Sequence, residues 1–209
     1  RLHPVSTIIG GPTLWPIEKT VEVMKFYRDF IVKAPDELNG FFAFIIVPPV
    51  PDFPEELHLK NPPGIVRCSN GTQEDADTLL APAKAFGPPA LYGIGAMPHP
   101  ALQSAFDGLY PAGYQWYWRA DFVNELTDEA IEKHYENGMK LPTMFSSMHL
   151  YPIDGAAGRV GKNDTPWAYR KSKWAEVIVG VDPDPANKDT ITKWTKDYWI
   201  LEPLALVHR

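Results

Sequence analysis

Two β-strand patterns in the last third of the chain follow each other with no helix between them. Residues 144–151 and 174–181 both read as strands, joined by a Gly-rich turn and an irregular loop. Parallel pairing needs a crossover connection, normally a helix, so strands joined in this way pair antiparallel. The same holds for 41–47 and 65–70, which a proline-rich loop joins. The chain is therefore restricted to a mainly antiparallel sheet.

The other patterns add helices to this sheet. Apolar residues at helical spacing, together with capping signals, predict helices at residues 17–34, 72–86, 100–109, 127–138 and 187–201. Further strands are predicted at 5–10, 91–96 and 115–123. We therefore expect an α+β fold in which residues 1–209 form one domain. Its sheet has about six or seven strands, and helices pack on one face.

Charge and composition exclude several classes of function. The formal net charge is −6, and the 20 basic residues are interspersed with acids, so nucleic acid and anionic membrane surfaces are not expected partners. No apolar run is long enough for a membrane span, and the first residues are not a signal peptide, so we expect a cytoplasmic protein. The lone Cys68 and the spacing of the six histidines predict no metal site.

Alternation along three strands separates a polar, aromatic set of side chains from a valine-rich set. If the helices cover the valine-rich faces, the other set lies together on the second face of the sheet. Its members are Tyr117, Arg119, His149, Tyr151, Trp174 and Glu176. Such a face suits a covered cleft that binds a ligand. An interface between copies of the chain, or an ion pair such as Arg119 with Glu176, would explain the same pattern.

The remaining motifs carry little chemistry. The segments GAAG at 155–158 and GIGAMP at 93–98 lack the strand–turn–helix context of a dinucleotide loop. Ser146 and Ser147 precede His149 without the Gly-x-Ser-x-Gly turn of a hydrolase nucleophile, so a hydrolase triad is not expected.

Several segments together resemble the substrate-binding domain of berberine bridge enzyme-like FAD-linked oxidases. These enzymes belong to the vanillyl-alcohol oxidase/p-cresol methylhydroxylase flavoprotein superfamily. The segments are RLHPVSTIIGG at the start, WYWRADFVNELTDEAI, HLYPIDGAAGRV, TPWAYRKSKWAEVIV, and DPANKDTITKWTKDYWILEP at 184–203. The resemblance covers nearly the whole chain, and it departs from the family at Asp154-Gly155, where the family has Gly-Gly. Both ends of the chain look cut, as expected for a domain excised from a longer protein.

The resemblance implies that the sheet roofs a flavin held mainly by an FAD-binding domain that this chain lacks. It implies an enzyme that oxidises an alcohol, sugar or aromatic small molecule by hydride transfer to FAD, with O2 as acceptor, and that is inactive without the FAD domain. Glu176 matches the family's general base, and Tyr151 would share its proton. Tyr117, Arg119, His149 and Trp174 would bind substrate, and no residue is assigned to cofactor binding. The alternative is a non-enzymatic α+β module that binds a ligand or forms a homodimer through the open sheet face.

Overall fold

The computed structural model of the protein describes residues 5–201. The first and last of the quoted segments, 1–11 and 184–203, therefore lie partly outside the described residues. Its strands are β1 (Thr7–Leu14), β2 (Leu38–Ile45), β3 (Gly64–Ser69), β4 (Leu91–Tyr92), β5 (Gly95–Pro98), β6 (Gln115–Val123), β7 (Ser147–Pro152) and β8 (Trp174–Asp182). They form one sheet in the order β4-β1-β3-β2-β7-β8-β6, and β5 also pairs with β1. The pairs are antiparallel, as the connections predicted.

The helices are α1 (Thr20–Ile31), α2 (Gln73–Ala85), α3 (His99–Ser104), α4 (Asp128–Gly138), α5 (Gly155–Arg159) and α6 (Lys188–Leu201). Two of them begin where the sequence predicted. Thr72 accepts a hydrogen bond from the Asp75 N–H, and the Asp75 carboxylate accepts one from the Thr72 N–H, which completes a capping box. Thr127 caps α4 by accepting from the Ala130 N–H. Among residues 5–201, no helix has the length and apolar character needed to cross a bilayer.

The main core lies between α1, α4, α6 and one face of the sheet, here called the helix face. That face carries Phe42, Leu150 and Ile178, which are fully buried. The sheet and α6 approach closely at Gly180 in β8. A Cβ atom there would lie 2.7 Å from the Ile191 carbonyl oxygen of α6, so only glycine fits. The α+β class with helices on one face is therefore confirmed.

The second face, here called the open face, carries Phe41, Trp118, His149 and Val177. It is only partly accessible within residues 5–201, because Val179 and Val181 of β8 are fully buried there. The segment that contains α3 approaches it at one end, where the ring of Phe106 lies 5.7 Å from that of Phe41.

Some element boundaries differ from the sequence predictions. The glycine pair at 10–11 was read as the end of a strand, yet β1 continues to Leu14, because Gly11 pairs with Arg67 inside the ladder at a φ of 136°. The weak strand predicted at 91–96 is two short strands, β4 and β5. The Gly-rich turn after β7 contains the short helix α5, which the sequence did not predict.

Candidate active-site face

The register of β6, β7 and β8 divides the six predicted site residues between the two faces. Partners in adjacent strands share a face, and His149 pairs with Val177 on the open face. Glu176 pairs with Leu150, which belongs to the core under α1. Thus His149 and Tyr151 lie on the open face. The residues on the helix face are Tyr117, Arg119, Trp174 and Glu176.

The prediction that all six residues share one face is therefore wrong, and the reason is physical. The helices were expected to cover the valines of β8, but burial is decided by the sheet as a whole. The neighbouring strands β2 and β7 place Phe42, Phe44 and Met148 on the face that carries Glu176. These large side chains are fully buried, so the helices pack on them and the valines of β8 remain on the open face.

Trp174 and Glu176 are enclosed by the helix layer. Trp174 is only 2% exposed, and the centroid of its ring lies 5.7 Å from that of Tyr27 in α1. Glu176 is buried beside Leu150 and opposite Asp121 of β6. Neither side chain points towards the open face, because successive residues of β8 alternate between faces.

Arg119 and Tyr117 pack under α6. The Arg119 guanidinium lies 4.9 Å from the centre of the Tyr117 ring and 5.5 Å from that of Trp199 in α6. Such contacts attract a cation to the negative faces of aromatic rings. The two residues predicted to bind substrate on β6 therefore attach a helix to the sheet.

The open face brings together one predicted catalytic and one predicted binding residue. The His149 Nδ1 and the Tyr151 hydroxyl are 2.8 Å apart and share a hydrogen bond. The Phe41 ring packs on both, with centroid distances of 5.7 Å to His149 and 5.1 Å to Tyr151. His149 is buried below the partly accessible Tyr151, so the phenol is the accessible end of the pair.

Burial sets the protonation states of this pair. Desolvation lowers the pKa of His149 to about 4, so the imidazole is neutral near pH 7. Desolvation and the nearby Tyr110 raise the pKa of Tyr151 to about 12, so its phenol keeps its proton. When the ring proton of His149 lies on Nε2, Tyr151 donates to Nδ1 and its oxygen remains free to accept a hydrogen bond from a ligand hydroxyl.

Three aromatic rings extend this face towards β6. Tyr110, Trp116 and Trp118 are nearly parallel, with interplanar angles of 14–22° and centroid distances of 5.8–6.4 Å. Trp118 is 46% exposed and Tyr110 is 38% exposed, so the stack presents flat apolar surface to its surroundings. The alternation Trp116-x-Trp118 was the sequence signal for this stack.

A loop after α5 covers the far end of the open face. The Tyr169 ring stacks on Phe122 of β6 at 4.6 Å, and the Trp167 ring meets Phe122 edge-on at 5.6 Å. Arg170 lies over Trp167, with its guanidinium carbon 4.3 Å from the ring centre. This loop belongs to the segment TPWAYR on which the family resemblance depends, and aromatic residues thus border the face on both sides.

The open face fits the ring system of a flavin better than it fits a metal ion. Tyr110, Trp116 and Trp118, with the half-buried Val177 of β8, provide flat apolar surface, and Tyr151 provides a hydroxyl at its border. Within residues 5–201 there is no cluster of three His, Cys, Asp or Glu side chains that could hold a metal. We assign no residue of this chain to the diphosphate of FAD.

Comparison with known proteins supports the fold at this point. Solved structures with the same fold include the berberine bridge enzyme-like protein 28 of Arabidopsis thaliana (14% identity, TM-score 0.76). They also include berberine bridge enzyme of Eschscholzia californica (10%, 0.74) and Phl p 4, a grass pollen allergen with glucose dehydrogenase activity (14%, 0.75). These alignments cover 97–98% of this chain. The chain has the fold of berberine bridge enzyme-like proteins.

The match is limited to part of those proteins. It covers 41–44% of their chains, so this chain spans less than half the length of the structures that it resembles. No protein-family model matches the chain, and no curated protein is similar to it in sequence. The family resemblance inferred from the sequence is thus confirmed as a resemblance of fold.

Proposed function

We propose that this chain is the substrate-binding domain of an FAD-linked oxidoreductase and that its open face covers the flavin. Two findings support the proposal. Nearly all of this chain superposes on less than half of each berberine bridge enzyme-like structure, which leaves room there for another domain. The His149–Tyr151 pair also lies on the sheet face opposite the main helix layer.

In such a protein FAD, when bound, accepts the hydride that leaves the substrate. The role of this chain is to bind and orient the substrate and to exclude water from it. The ring stack of Tyr110, Trp116 and Trp118 offers apolar surface to a flavin or to a flat substrate. Phe41 and the loop ring Tyr169 border the face and keep water from it.

Tyr151 is the residue best placed to handle the substrate proton. Its oxygen can accept a hydrogen bond from a substrate hydroxyl while its own proton is directed at His149 Nδ1. As the substrate O–H bond breaks, the substrate proton passes to the Tyr151 oxygen and the phenol proton passes to His149, so no free phenolate forms. Because burial lowers the pKa of this imidazole to about 4, it holds the proton only during the transfer and then releases it to solvent.

Glu176 remains a predicted general base, but its position favours another role. The side chain lies on the helix face, so the backbone of the sheet separates it from any substrate on the open face. Substrate contacts also remain predictions for Tyr117, Arg119 and Trp174. Their positions speak against this role in the same way, because α1 and α6 cover them.

The decisive experiment uses the complete gene product that contains this chain. Purified, it should carry bound flavin, and a colourless protein without flavin absorbance would refute the proposal. In that protein Tyr151→Phe should lower kcat by about 10²-fold, the usual size of a proton-transfer contribution. Tyr169→Phe is the matched control, because that ring stacks at the edge of the same face and should leave kcat nearly unchanged.

The Glu176→Gln variant separates the two candidate bases. A loss of about 10²-fold in Glu176→Gln, with Tyr151→Phe near the wild-type rate, would make Glu176 the base. The nature of the substrate, whether alcohol, sugar or aromatic, and the use of O2 as acceptor are further parts of the proposal. They are tested by measuring flavin reduction by each substrate class and its reoxidation in air.

The accessible ring stack also suits an interface, which keeps a non-enzymatic dimer as the second candidate. Trp118 and Tyr110 expose apolar surface of the kind that protein–protein contacts bury. A flavin-free gene product whose dimer dissociates on Trp118→Asp would favour this alternative.

A further inference from the structure

Arg67 lies on the helix face, far from the chemistry proposed for the open face. It sits in the middle of β3 and is only 1% exposed. Its partners in the neighbouring strands are Gly11 of β1 and Gly40 of β2. Because both partners lack a side chain, the stem of the arginine lies directly against the strand backbone at Gly40. A Cβ on Gly40 would lie 3.2 Å from the Arg67 Cγ.

The guanidinium is enclosed by aromatic rings and has few acceptors. Its central carbon lies 5.5 Å from the Trp15 ring and 5.7 Å from the Phe30 ring of α1. Nη1 donates to the Thr13 hydroxyl at 3.2 Å. Within the described part of the chain, Nε and Nη2 of Arg67 and the buried Trp15 Nε1 meet no acceptor. Two side chains in contact thus bury three N–H donor atoms without a partner among the described residues.

Among residues 5–201, no carboxylate compensates the charge of Arg67. The titratable groups that act on its guanidinium are the phenols of Tyr92 and Tyr27. Burial lowers the pKa of Arg67 to about 10, which leaves it a cation at neutral pH. Buried charges in proteins are almost always paired, and unpaired buried donors are costly. Cation–π contacts with two rings offset part of this cost but satisfy none of the three donors.

We propose that Arg67 and Trp15 form a buried binding site for a small monovalent anion of the halide class. An anion supplies both the missing acceptor and the missing negative charge. It must be small, because Arg67 and Trp15 are almost completely buried under α1. The site does not depend on the proposed oxidoreductase function, since it lies on the opposite face of the sheet from His149 and Tyr151.

The probe is bromide. The thermal unfolding midpoint of the full protein is measured in bromide and, at the same ionic strength, in gluconate, an anion too large to enter the site. An anion that binds only the folded state raises the unfolding midpoint. We expect a rise of roughly 2–4 °C in 0.1 M bromide. The Arg67→Met variant should lose this difference. Arg159→Met is the matched control, because Arg159 is an exposed arginine already paired with Asp36, and it should keep the difference.

A crystal of the wild-type protein soaked in bromide provides a second test that does not require Arg67→Met to fold. The anomalous map should show a bromide peak in contact with the Arg67 guanidinium and the Trp15 indole. The absence of that peak, or a midpoint equal in bromide and gluconate, would overturn the proposal. A bromide effect that survives in a folded Arg67→Met variant would overturn it as well.

Discussion

The helix face and the open face use the same residue types in opposite ways. On the helix face, Arg119 and Trp174 are covered by α6 and α1, and their rings and charges hold helices to the sheet. On the open face, Trp118 and Tyr151 remain accessible beside a neutral histidine. Polar and aromatic side chains on alternate strand positions therefore do not identify a site. Access to those side chains does.

The two tryptophans of paired strands provide the sharpest test of this difference. Trp174→Ala removes a ring that is 2% exposed and packs on Tyr27, and it should destabilise the protein by about 3–5 kcal/mol. Trp118→Ala removes a ring that is 46% exposed and should cost less than about 1 kcal/mol. Urea unfolding of both variants measures the two values. If the costs were equal, the open face would be a packed core in the full protein and not an accessible site.

The two buried histidines should make stability depend on pH. Burial lowers the pKa of His149 on the open face to about 4 and that of His134, which packs against Tyr198 of α6, to about 3. Both pKa values lie below the unfolded value of about 6.5, so the unfolded chain binds more protons below that pH. The stabilisation is complete above pH 6.5 and is lost as the pH falls towards 4.

Each histidine should contribute about 1.4 kcal/mol per pH unit to the slope of unfolding free energy within that window. Denaturant unfolding at several pH values between about 4 and 6.5 measures the slope. His149→Gln and His134→Gln should each lower this slope by the contribution of one proton. A slope unchanged in His149→Gln would mean that this imidazole is already charged or solvated, and the neutral His149–Tyr151 pair would have to be abandoned.

Local signals explain which parts of the fold could be predicted. The antiparallel sheet follows from helix-free connections, and the start of α2 follows from the Thr72–Asp75 capping box, because both are encoded within a few residues. The strand predicted at 115–123 has the bounds of β6, Gln115–Val123. Along each strand, alternation also grouped the residues of one face correctly.

The candidate site could be predicted only in part, because it depends on how strands combine. Which face of β8 is buried is determined by Phe42 and Met148 in other strands, and no pattern within 174–181 contains that information. The end of β1 was missed for a similar reason. The glycine pair 10–11 reads locally as a turn, whereas Gly11 continues the ladder at a φ of 136°, where a Cβ would lie 2.1 Å from the Gly93 carbonyl oxygen. Contacts such as Phe41 with Tyr151 join residues more than a hundred positions apart.

A smaller effect should distinguish the hydroxyl groups of the two faces. Tyr27 of α1 donates towards the carbonyl oxygens of Gly40 in β2 and Leu150 in β7, at 3.0 and 3.1 Å, so one hydroxyl joins a helix to two strands. Tyr27→Phe keeps the ring but leaves these buried carbonyls with fewer donors, and it should cost about 1–2 kcal/mol of unfolding free energy. Tyr169→Phe, at a ring that is 56% exposed beside the open face, should stay within about 0.5 kcal/mol of wild type. Equal effects in urea unfolding would show that the hydroxyls of the helix face stabilise the protein no more than accessible ones. The contrast between the two faces would then rest on their apolar packing alone.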